Sequence, residues 1–221
     1  HEDLVSNPDQ VAAQIAALAS VKVSTPRLFA SGILTAGEDT AGVSIIGIDP
    51  DSIANAPYRE GMVSGQFLTA DDREGVLIGR GLATSLGLNA GDQISVMVNT
   101  ANGAVDEQPF TIRGTVTTGS RFYDETTLFM PLAKAQTITR AEGFASTIFV
   151  LLNDQDQTQA VAAALQSGQY EVLTWQEMNE LLTQFNEMAS GYMVLIYLIV
   201  LGITATVIIN TLVMAVFERT R

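Results

Sequence analysis

The longest apolar run of the chain lies at its C-terminal end, where no charged residue occurs between Met188 and Phe217. As a helix with a rise of about 1.5 Å per residue, this run is roughly 45 Å long. The hydrocarbon core of a bilayer is only about 30 Å thick. The pattern predicts a transmembrane helix, which we place at residues 191–217. The alternative is a helix of the hydrophobic core or of an oligomer interface.

The charges that flank this run predict its orientation. Arg219 and Arg221 follow it, whereas acidic residues precede it, and the nearest upstream basic residue is Arg140. Basic flanks remain on the cytoplasmic side of a membrane. We therefore expect the C-terminal end in the cytoplasm, and residues 1–190 in the periplasm or outside the cell.

Small and polar residues recur at four-residue spacing within the predicted span, at Gly202, Thr206 and Asn210. Residues four apart lie on the same side of a helix. Small side chains permit close approach of two membrane helices, and an asparagine can hydrogen-bond across their interface. We interpret these residues as a packing face against neighbouring membrane helices. The alternative is polarity tolerated near the inner end of the helix.

A helical stalk is predicted ahead of the span. Thr174 and Glu177 match the T-x-x-E pattern of a capping box. Apolar residues then recur at helical spacing, and no proline occurs from Trp175 to Phe217. The predicted stalk, residues 176–190, passes directly into the predicted span. A continuous helix of this kind can carry motion between compartments.

The N-terminal part alternates between helix and strand patterns. Pro8 fits the first turn of a helix that Ser6 or Asn7 caps. Two strand-like runs and a hairpin turn follow. The runs cover residues 23–34 and 43–48, and the turn covers residues 37–42.

Short strands separated by glycine-containing turns dominate residues 50–142, where apolar and polar positions alternate. The next segment predicts a strand at 146–152, a helix at 157–166 and a second strand at 170–173. We therefore predict an α+β fold. In this fold the first and third parts form one module, and the β-rich part is inserted into it.

Composition narrows the chemistry. The chain of 221 residues has a formal charge of −13, no cysteine, and one histidine at position 1. Acidity argues against nucleic acid as a partner, and the residue counts argue against thiol chemistry, a histidine triad and a zinc site. The pairs Asp49/Asp51 and Asp71/Asp72 lie in predicted turns without calcium-loop spacing, and GRG at 79–81 lacks the phosphate-loop patterns. We therefore predict that the chain is non-catalytic and has no catalytic, cofactor-binding or metal-binding residues.

Three segments resemble the FtsX/MacB-like ABC transporter permeases. Their extracytoplasmic pattern of strand, small helix and LG-x-x-x-GD is similar to GVLIGRGLATSLGLNAGDQISVMV at 75–98. Their second membrane helix and the start of their coupling segment resemble INTLVMAVFERTR at 209–221. The segment at 42–50, GVSIIGIDP, resembles the lipoprotein-releasing LolC/LolE group more than the macrolide exporters.

The resemblance implies a permease with four membrane helices and a large periplasmic domain between the first and the second. The domain would combine a discontinuous α+β Porter-like subdomain with an inserted β-rich Sabre-like subdomain. This chain would then lack the first and the last two membrane helices. The implied parts are a first Porter-like part at 1–49, the Sabre-like insertion at 50–142, a second Porter-like part at 143–175, the stalk at 176–190, the transmembrane helix at 191–217 and the start of the coupling segment at 218–221.

The function implied by the resemblance is mechanotransmission in a bacterial inner membrane. A separate cytoplasmic ATPase subunit binds ATP and Mg, and the membrane helices relay its movement to the periplasmic domain. Phe217, Glu218 and Arg219 match the segment that couples to this ATPase. Further implied partners are a second permease copy or paralogue, membrane lipid, a periplasmic carrier and a lipoprotein substrate. Residues lining the cavity for an acylated substrate would include Met193, Ile196 and Val200.

Three alternatives stay open at the level of sequence. They are a MacB-like exporter subunit for another substrate, an FtsX-like regulator of a periplasmic hydrolase, and a single-pass anchored binding domain. The last alternative differs from the others because it needs no ATPase.

Overall fold

The computed structural model describes residues 4–100, 103–166, 170–178, 196–206 and 208–209. The chain divides into two compact units, His1–Gln157 and Thr158–Arg221. All the strands described below belong to the first unit.

Within these described residues, ten strands and six α-helices have defined bounds. The strands are β1 (Val5–Ser6), β2 (Val21–Ala36), β3 (Asp39–Ile48), β4 (Met62–Gly65), β5 (Gly75–Gly79), β6 (Gln93–Asn99), β7 (Val105–Val116), β8 (Thr127–Pro131), β9 (Phe144–Ala145) and β10 (Thr147–Leu152). The helices are α1 (Pro8–Ala16), α2 (Ala56–Glu60), α3 (Arg80–Leu86), α4 (Arg121–Thr126), α5 (Leu132–Thr139) and α6 (Thr158–Leu165), with short 3₁₀ helices at Ile53–Asn55 and Gln155–Gln157.

One mixed sheet of eight strands organises the first unit. Its order is β10-β2-β3-β8-β5-β7-β4, and β6 pairs with both β2 and β7. The pairs β3–β8 and β5–β7 are parallel, whereas the remaining pairs are antiparallel. A separate two-stranded sheet joins β1 to β9. The long strand β2 pairs with β10 near its start and with β6 near its end.

The period-two alternation of the strands supplies a hydrophobic core on each face of the sheet. In β8, Leu128 and Met130 belong to one core, whereas Phe129 belongs to the other. In β5, Val76 and Ile78 belong to the first core, and Leu77 belongs to the second. Both strands are buried along their whole length, as expected for central strands covered on two sides.

The predicted mixed α+β fold is confirmed, with differences in detail. Helix α1 begins at Pro8 with Asn7 at its N-cap position, but the Asn7 side chain makes no capping hydrogen bond. The hairpin turn is tighter than predicted, because Ala36 already pairs with Asp39. The predicted strand at 170–173 is wrong, since these residues form no strand. Three helices of the middle segment, α2, α4 and α5, were not expected from the sequence.

Much of the predicted membrane segment lies outside the described residues. Residues 196–206 are helical. Among the described residues, no helix combines the length and the apolar character needed to cross a membrane. The stalk beyond Met178 also lies outside the described part of the chain. The subdivision of the first unit at residues 50 and 142 stays a prediction.

Candidate functional site

A buried arginine forms the most constrained polar cluster of the sheet. Arg27 lies on β2 with 8% of its surface exposed. Its guanidinium carbon lies 4.1 Å from the centre of the Phe149 ring and 5.8 Å from that of Tyr58. Its Nη2 donates a hydrogen bond of 3.2 Å to Oδ1 of Asn55, whereas its buried Nε has no hydrogen-bond partner. Aromatic faces and one amide therefore surround this cation.

Burial has an electrostatic cost at this position. Desolvation lowers the pKa of Arg27 below its ordinary value, and the nearby Tyr58 partly opposes that effect. The two salt bridges found among the described residues are Asp72–Arg113 and Arg121–Glu125, so neither compensates Arg27. A cation over an aromatic ring gains about 0.5–2 kcal/mol, depending on its desolvation. The cluster can thus hold β10 and the segment after β3 against β2.

Asn55 extends this cluster into the turn after β3. Its side chain is fully buried, and its Nδ2 donates to the backbone oxygen of Asp49 over 2.7 Å. The carboxylate of Asp49 accepts a hydrogen bond from the backbone N–H of Asp51 over 3.0 Å. The Asp49/Asp51 pair therefore shapes a turn, as loop aspartates commonly do.

Asp72 of the second aspartate pair also has a structural role. Asp72 accepts hydrogen bonds from Nε and Nη2 of Arg113, at 2.9 and 2.6 Å, and from the backbone N–H of Thr69 at 3.0 Å. Burial acts to raise the pKa of the Asp72 carboxyl, but the hydrogen bonds from Thr69 and Arg113 outweigh it and hold the pKa below its ordinary value. Within the described ranges, no group of three acidic, histidine or cysteine side chains is arranged to hold a metal ion.

Helix α4 is a short, firmly attached element that carries exposed aromatic side chains. The Asp124 carboxylate accepts hydrogen bonds from Oγ1 of Thr117 at 2.6 Å, and from N and Oγ1 of Thr118 at 2.7 and 2.8 Å. Burial acts to raise the pKa of Asp124, but these bonds and the charge of Arg80 hold it below its ordinary value. Phe122 is nonetheless 70% exposed. A rigid helix that presents an aromatic ring to solvent is suited to binding a partner rather than to catalysis.

The predicted stalk cap has the hydrogen bonds of a capping box. The backbone N–H of Thr174 donates to Oε2 of Glu177 over 2.7 Å, and the backbone N–H of Glu177 donates to Oγ1 of Thr174 over 3.3 Å. The backbone hydrogen bond from Thr174 is the main cause that lowers the pKa of Glu177. Residues 175–178 are helical. A helix thus begins at the predicted position, and the role of that helix as a stalk stays a prediction.

The predicted packing face is only partly described. Gly202 and Thr206 lie on the helical stretch 196–206, and Oγ1 of Thr206 donates to the backbone oxygen of Gly202 over 2.8 Å. The Thr206 hydroxyl is therefore satisfied within its own helix. Asn210 lies outside the described residues. The same holds for the predicted coupling residues Phe217, Glu218 and Arg219, and for Met193 of the predicted cavity.

Sequence reasoning missed two features of the first unit. The Arg27 cluster had one visible signal, a lone cation within the apolar run 23–34. The attachment of α4 had none, because the hydrogen bonds of Asp124 depend on how the chain folds around Thr117 and Thr118.

Sequence comparisons identify relatives along most of the chain. The family of MacB-like periplasmic core domains matches residues 4–167. The lipoprotein-releasing system transmembrane protein LolC of Neisseria meningitidis serogroup B is 24% identical over 210 residues. That alignment covers 90% of this chain and 51% of the LolC protein, so the chain spans about half the length of this curated relative.

Solved structures share the fold. The periplasmic region of MacB from Actinobacillus actinomycetemcomitans superposes with a TM-score of 0.54 at 17% identity, covering 76% of this chain and 77% of that one. The extracellular domain of the noncanonic ABC-type transporter YknZ from Gram-positive bacteria superposes with a TM-score of 0.57 at 15% identity, covering 79% of this chain and 91% of that one. At these identities the likeness supports the fold alone.

Proposed function

The chain belongs to the FtsX/MacB-like ABC transporter permeases and carries their MacB-like periplasmic core domain, and from this premise we propose that it transmits movement between a cytoplasmic ATPase and the periplasm. The observation that carries the proposal is the order of parts along the chain. A periplasmic core domain at residues 4–167 is followed by a capped helix start at Thr174 and then by the apolar segment 188–217.

The described part of the apolar segment supports a place in lipid. Every residue from 196 to 206 is exposed, and large apolar side chains such as Ile196, Tyr197 and Leu201 are each more than half exposed. A helix that is apolar on all sides is stable when a protein core or a bilayer surrounds it. We assign residues 191–217 to the inner membrane, with residues 1–190 on the periplasmic side.

The relay begins, in this proposal, at the capping box of Thr174 and Glu177 and continues through residues 176–190. The domain that it moves has the Porter-like and Sabre-like parts divided at residues 50 and 142. Gly202, Thr206 and Asn210 pack against other membrane helices of the permease or of a second copy or paralogue. Small residues at four-residue spacing support this assignment.

ATP chemistry belongs to a partner in this proposal. A cytoplasmic ATPase subunit binds ATP and Mg, and Phe217, Glu218 and Arg219 form the start of the segment that contacts it. The Arg219 charge also supports a cytoplasmic position for that segment.

The proposed substrate is a lipoprotein released from the inner membrane and passed to a periplasmic carrier. The support is the 24% identity to the LolC protein over nearly the whole chain, together with the GVSIIGIDP segment. A MacB-like exporter of another substrate, an FtsX-like regulator of a hydrolase and an anchored binding domain are the alternatives that the experiments must separate.

The relay is tested by inserting two glycines after Ala189 in the full-length permease, with a two-alanine insertion as the control. Both insertions rotate the downstream helix by the same angle, but each glycine weakens a helix by about 1 kcal/mol relative to alanine. We expect the glycine variant to hydrolyse ATP with its partner while it loses more transport than the alanine variant. Equal transport by the two variants would refute a rigid relay.

The partner and the substrate need separate measurements. Co-purification of the full-length permease with a cytoplasmic ATPase distinguishes a transporter or an FtsX-like regulator from an anchored binding domain. Accumulation of unreleased lipoproteins after depletion supports the lipoprotein substrate. Normal lipoprotein release in depleted cells, with the ATPase still bound, would leave the permease function intact and exclude this substrate.

A further inference from the structure

A groove of about 320 Å³ lies between α3 and β4 on the first unit. Its apolar wall includes Val63, Ala83 and Leu88. Its polar lining includes Arg80 and the hydroxyls of Ser64 and Thr115, whose oxygens lie 2.9 Å apart. Since one proton suffices for that hydroxyl pair, the other hydroxyl proton remains available to a ligand. The groove thus combines apolar contact, a donor and a cation.

Strand β4 gives this groove an open edge. It is the last strand in the order of the sheet, and among the described strands it pairs only with β7. An edge strand presents backbone N–H and C=O groups to which an extended chain can add. The strand is four residues long with a register shift between Met62 and Ser64, which suits a short docked segment rather than a long added strand.

The charge of the groove selects among extended segments. Arg80 is its only charged lining residue, and within the described part of the chain Arg80 takes part in no salt bridge. The chain as a whole carries a formal charge of −13. An acidic segment is therefore repelled by most of the surface, and the Arg80 guanidinium is the cationic contact that this groove offers it.

Helix α4, which carries exposed aromatic side chains, packs against the start of α3. A Cβ added to Gly81 of α3 would lie 3.0 Å from the backbone oxygen of Asp124 and 2.7 Å from Cγ of Glu125, both on α4. On the same helix, the rings of Phe122 and Tyr123 lie 5.9 Å apart in an edge-to-face arrangement, and both are exposed. Exposed aromatic residues on a rigid element are typical centres of protein interfaces.

We propose that the groove between α3 and β4 is a docking site for an extended acidic segment of a partner protein. The segment pairs its backbone with β4, places a carboxylate on Arg80, and packs apolar side chains on Val63 and Leu88. The site goes beyond the transport function and does not require a lipoprotein substrate. Its chemistry fits a peptide because only a peptide supplies the backbone donors and acceptors that the edge of β4 can pair with.

The proposal is tested with fluorescent peptides of about eight residues and the full-length permease in nanodiscs. The first peptide alternates leucine and aspartate, and the matched peptide alternates leucine and lysine. A third peptide has the acidic sequence with N-methyl groups on alternate backbone nitrogens, which removes edge-pairing donors and keeps the side chains. Fluorescence anisotropy at low and physiological salt measures each dissociation constant.

We expect the acidic peptide to bind at least tenfold more tightly than the basic and the N-methylated peptides. Arg80→Glu should weaken acidic-peptide binding at least tenfold and reverse the charge preference. Arg140→Glu carries the same charge change at an exposed position outside the groove, and it should alter binding less than twofold. The Arg80→Gln variant serves as a second test of the charge if Arg80→Glu fails to fold.

Four outcomes would overturn the proposal. The first is equal binding of the acidic and the basic peptide. The second and third are peptide binding that is unaffected by both Arg80→Glu and Arg80→Gln, and peptide binding that is unaffected by N-methylation. The fourth is displacement of the acidic peptide by phosphatidylglycerol vesicles that bind the protein, outside nanodiscs, through Arg80. The last outcome would assign the groove to an anionic lipid headgroup. None of these results depends on whether the ATPase couples to transport, so failure here is distinct from failure of the proposed function.

Discussion

A close backbone contact in the first unit occurs where β5 turns into α3, and it supplies a sharp prediction. A Cβ added to Gly79 would lie 2.7 Å from the carbonyl carbon and 2.8 Å from the Cα of Asp124. Real Cβ atoms do not approach backbone atoms so closely, and the contacting atoms belong to the main chain rather than to a flexible side chain. Gly79→Ala must therefore displace α4, together with the Asp124 hydrogen bonds that attach it.

The magnitude follows from the cost of overpacking. Inserting a methyl group into a closely packed site costs about 1–3 kcal/mol, and we expect the upper part of this range because three hydrogen bonds to Asp124 are strained as well. For a chain of this size, about 2–3 kcal/mol corresponds to a fall in Tm of roughly 5–10 °C. Urea unfolding followed by far-ultraviolet circular dichroism measures the free energy, and a thermal scan measures Tm.

Gly42→Ala on β3 is the matched control, because a Cβ at Gly42 meets no atom within 4 Å. We expect this variant to unfold within about 0.5 kcal/mol of the parent chain, as surface substitutions usually do. If Gly79→Ala proved as stable as Gly42→Ala, the close approach of α4 to the start of α3 would be refuted.

Three further variants test other contacts. Arg27→Lys keeps the charge but loses the planar stack of the guanidinium on Phe149. Urea unfolding should therefore show a loss of about 1–2 kcal/mol in the free energy of unfolding. An unchanged urea midpoint would contradict the stack. Asp72→Asn should be less stable than the parent at pH 7. Because the pKa of Asp72 is depressed in the folded state, the stability that its carboxylate contributes is present above about pH 4 and lost below it. The difference in unfolding free energy between parent and variant should therefore close in acid, and a difference that stays constant with pH would contradict this reading. Ser146→Ala removes the Oγ acceptor that lies 2.9 Å from the backbone nitrogen of Phe29. The Phe29 amide should therefore exchange with deuterium at least tenfold faster, while other amides of β2 keep their exchange rates. An unchanged exchange rate at Phe29 would contradict this hydrogen bond.

Strands with a regular alternation were predictable from the sequence, because burial on one face imposes a period of two. In β6 the apolar residues Ile94, Val96 and Val98 are all buried, as the alternation indicates. Strand prediction failed at 170–173, where Tyr170, Val172 and Leu173 are apolar but no strand formed. A strand needs a partner as well as a pattern, and a sequence window contains no information on the partner.

Helix α4 could not be predicted for a different reason. Six residues are too few to show a helical period, and a helix of this length is marginal without tertiary support. The support comes from Thr117 and Thr118 through Asp124, and from the space left by Gly79. The exposed Phe122 would even argue against a buried helix. Local sequence therefore does not determine the element that carries the exposed Phe122 and Tyr123.

The Arg27 cluster lies where the neighbours of β2 change. Residues up to Arg27 pair with β10, and residues from Gly32 pair with β6. Between them, the Ser146 hydroxyl accepts a hydrogen bond from the Phe29 backbone N–H. At the end of the β10 pairing, Arg27 stacks on Phe149 of β10 and bonds to Asn55 beyond β3. One side chain thus links β10 to the 3₁₀ helix that follows β3, so a force applied at β10 acts on that segment through Arg27 as well as through the backbone ladder. The Phe149 ring and the Asn55 amide are thus the contacts that hold, in an apolar sheet, an arginine that has no carboxylate partner among the described residues.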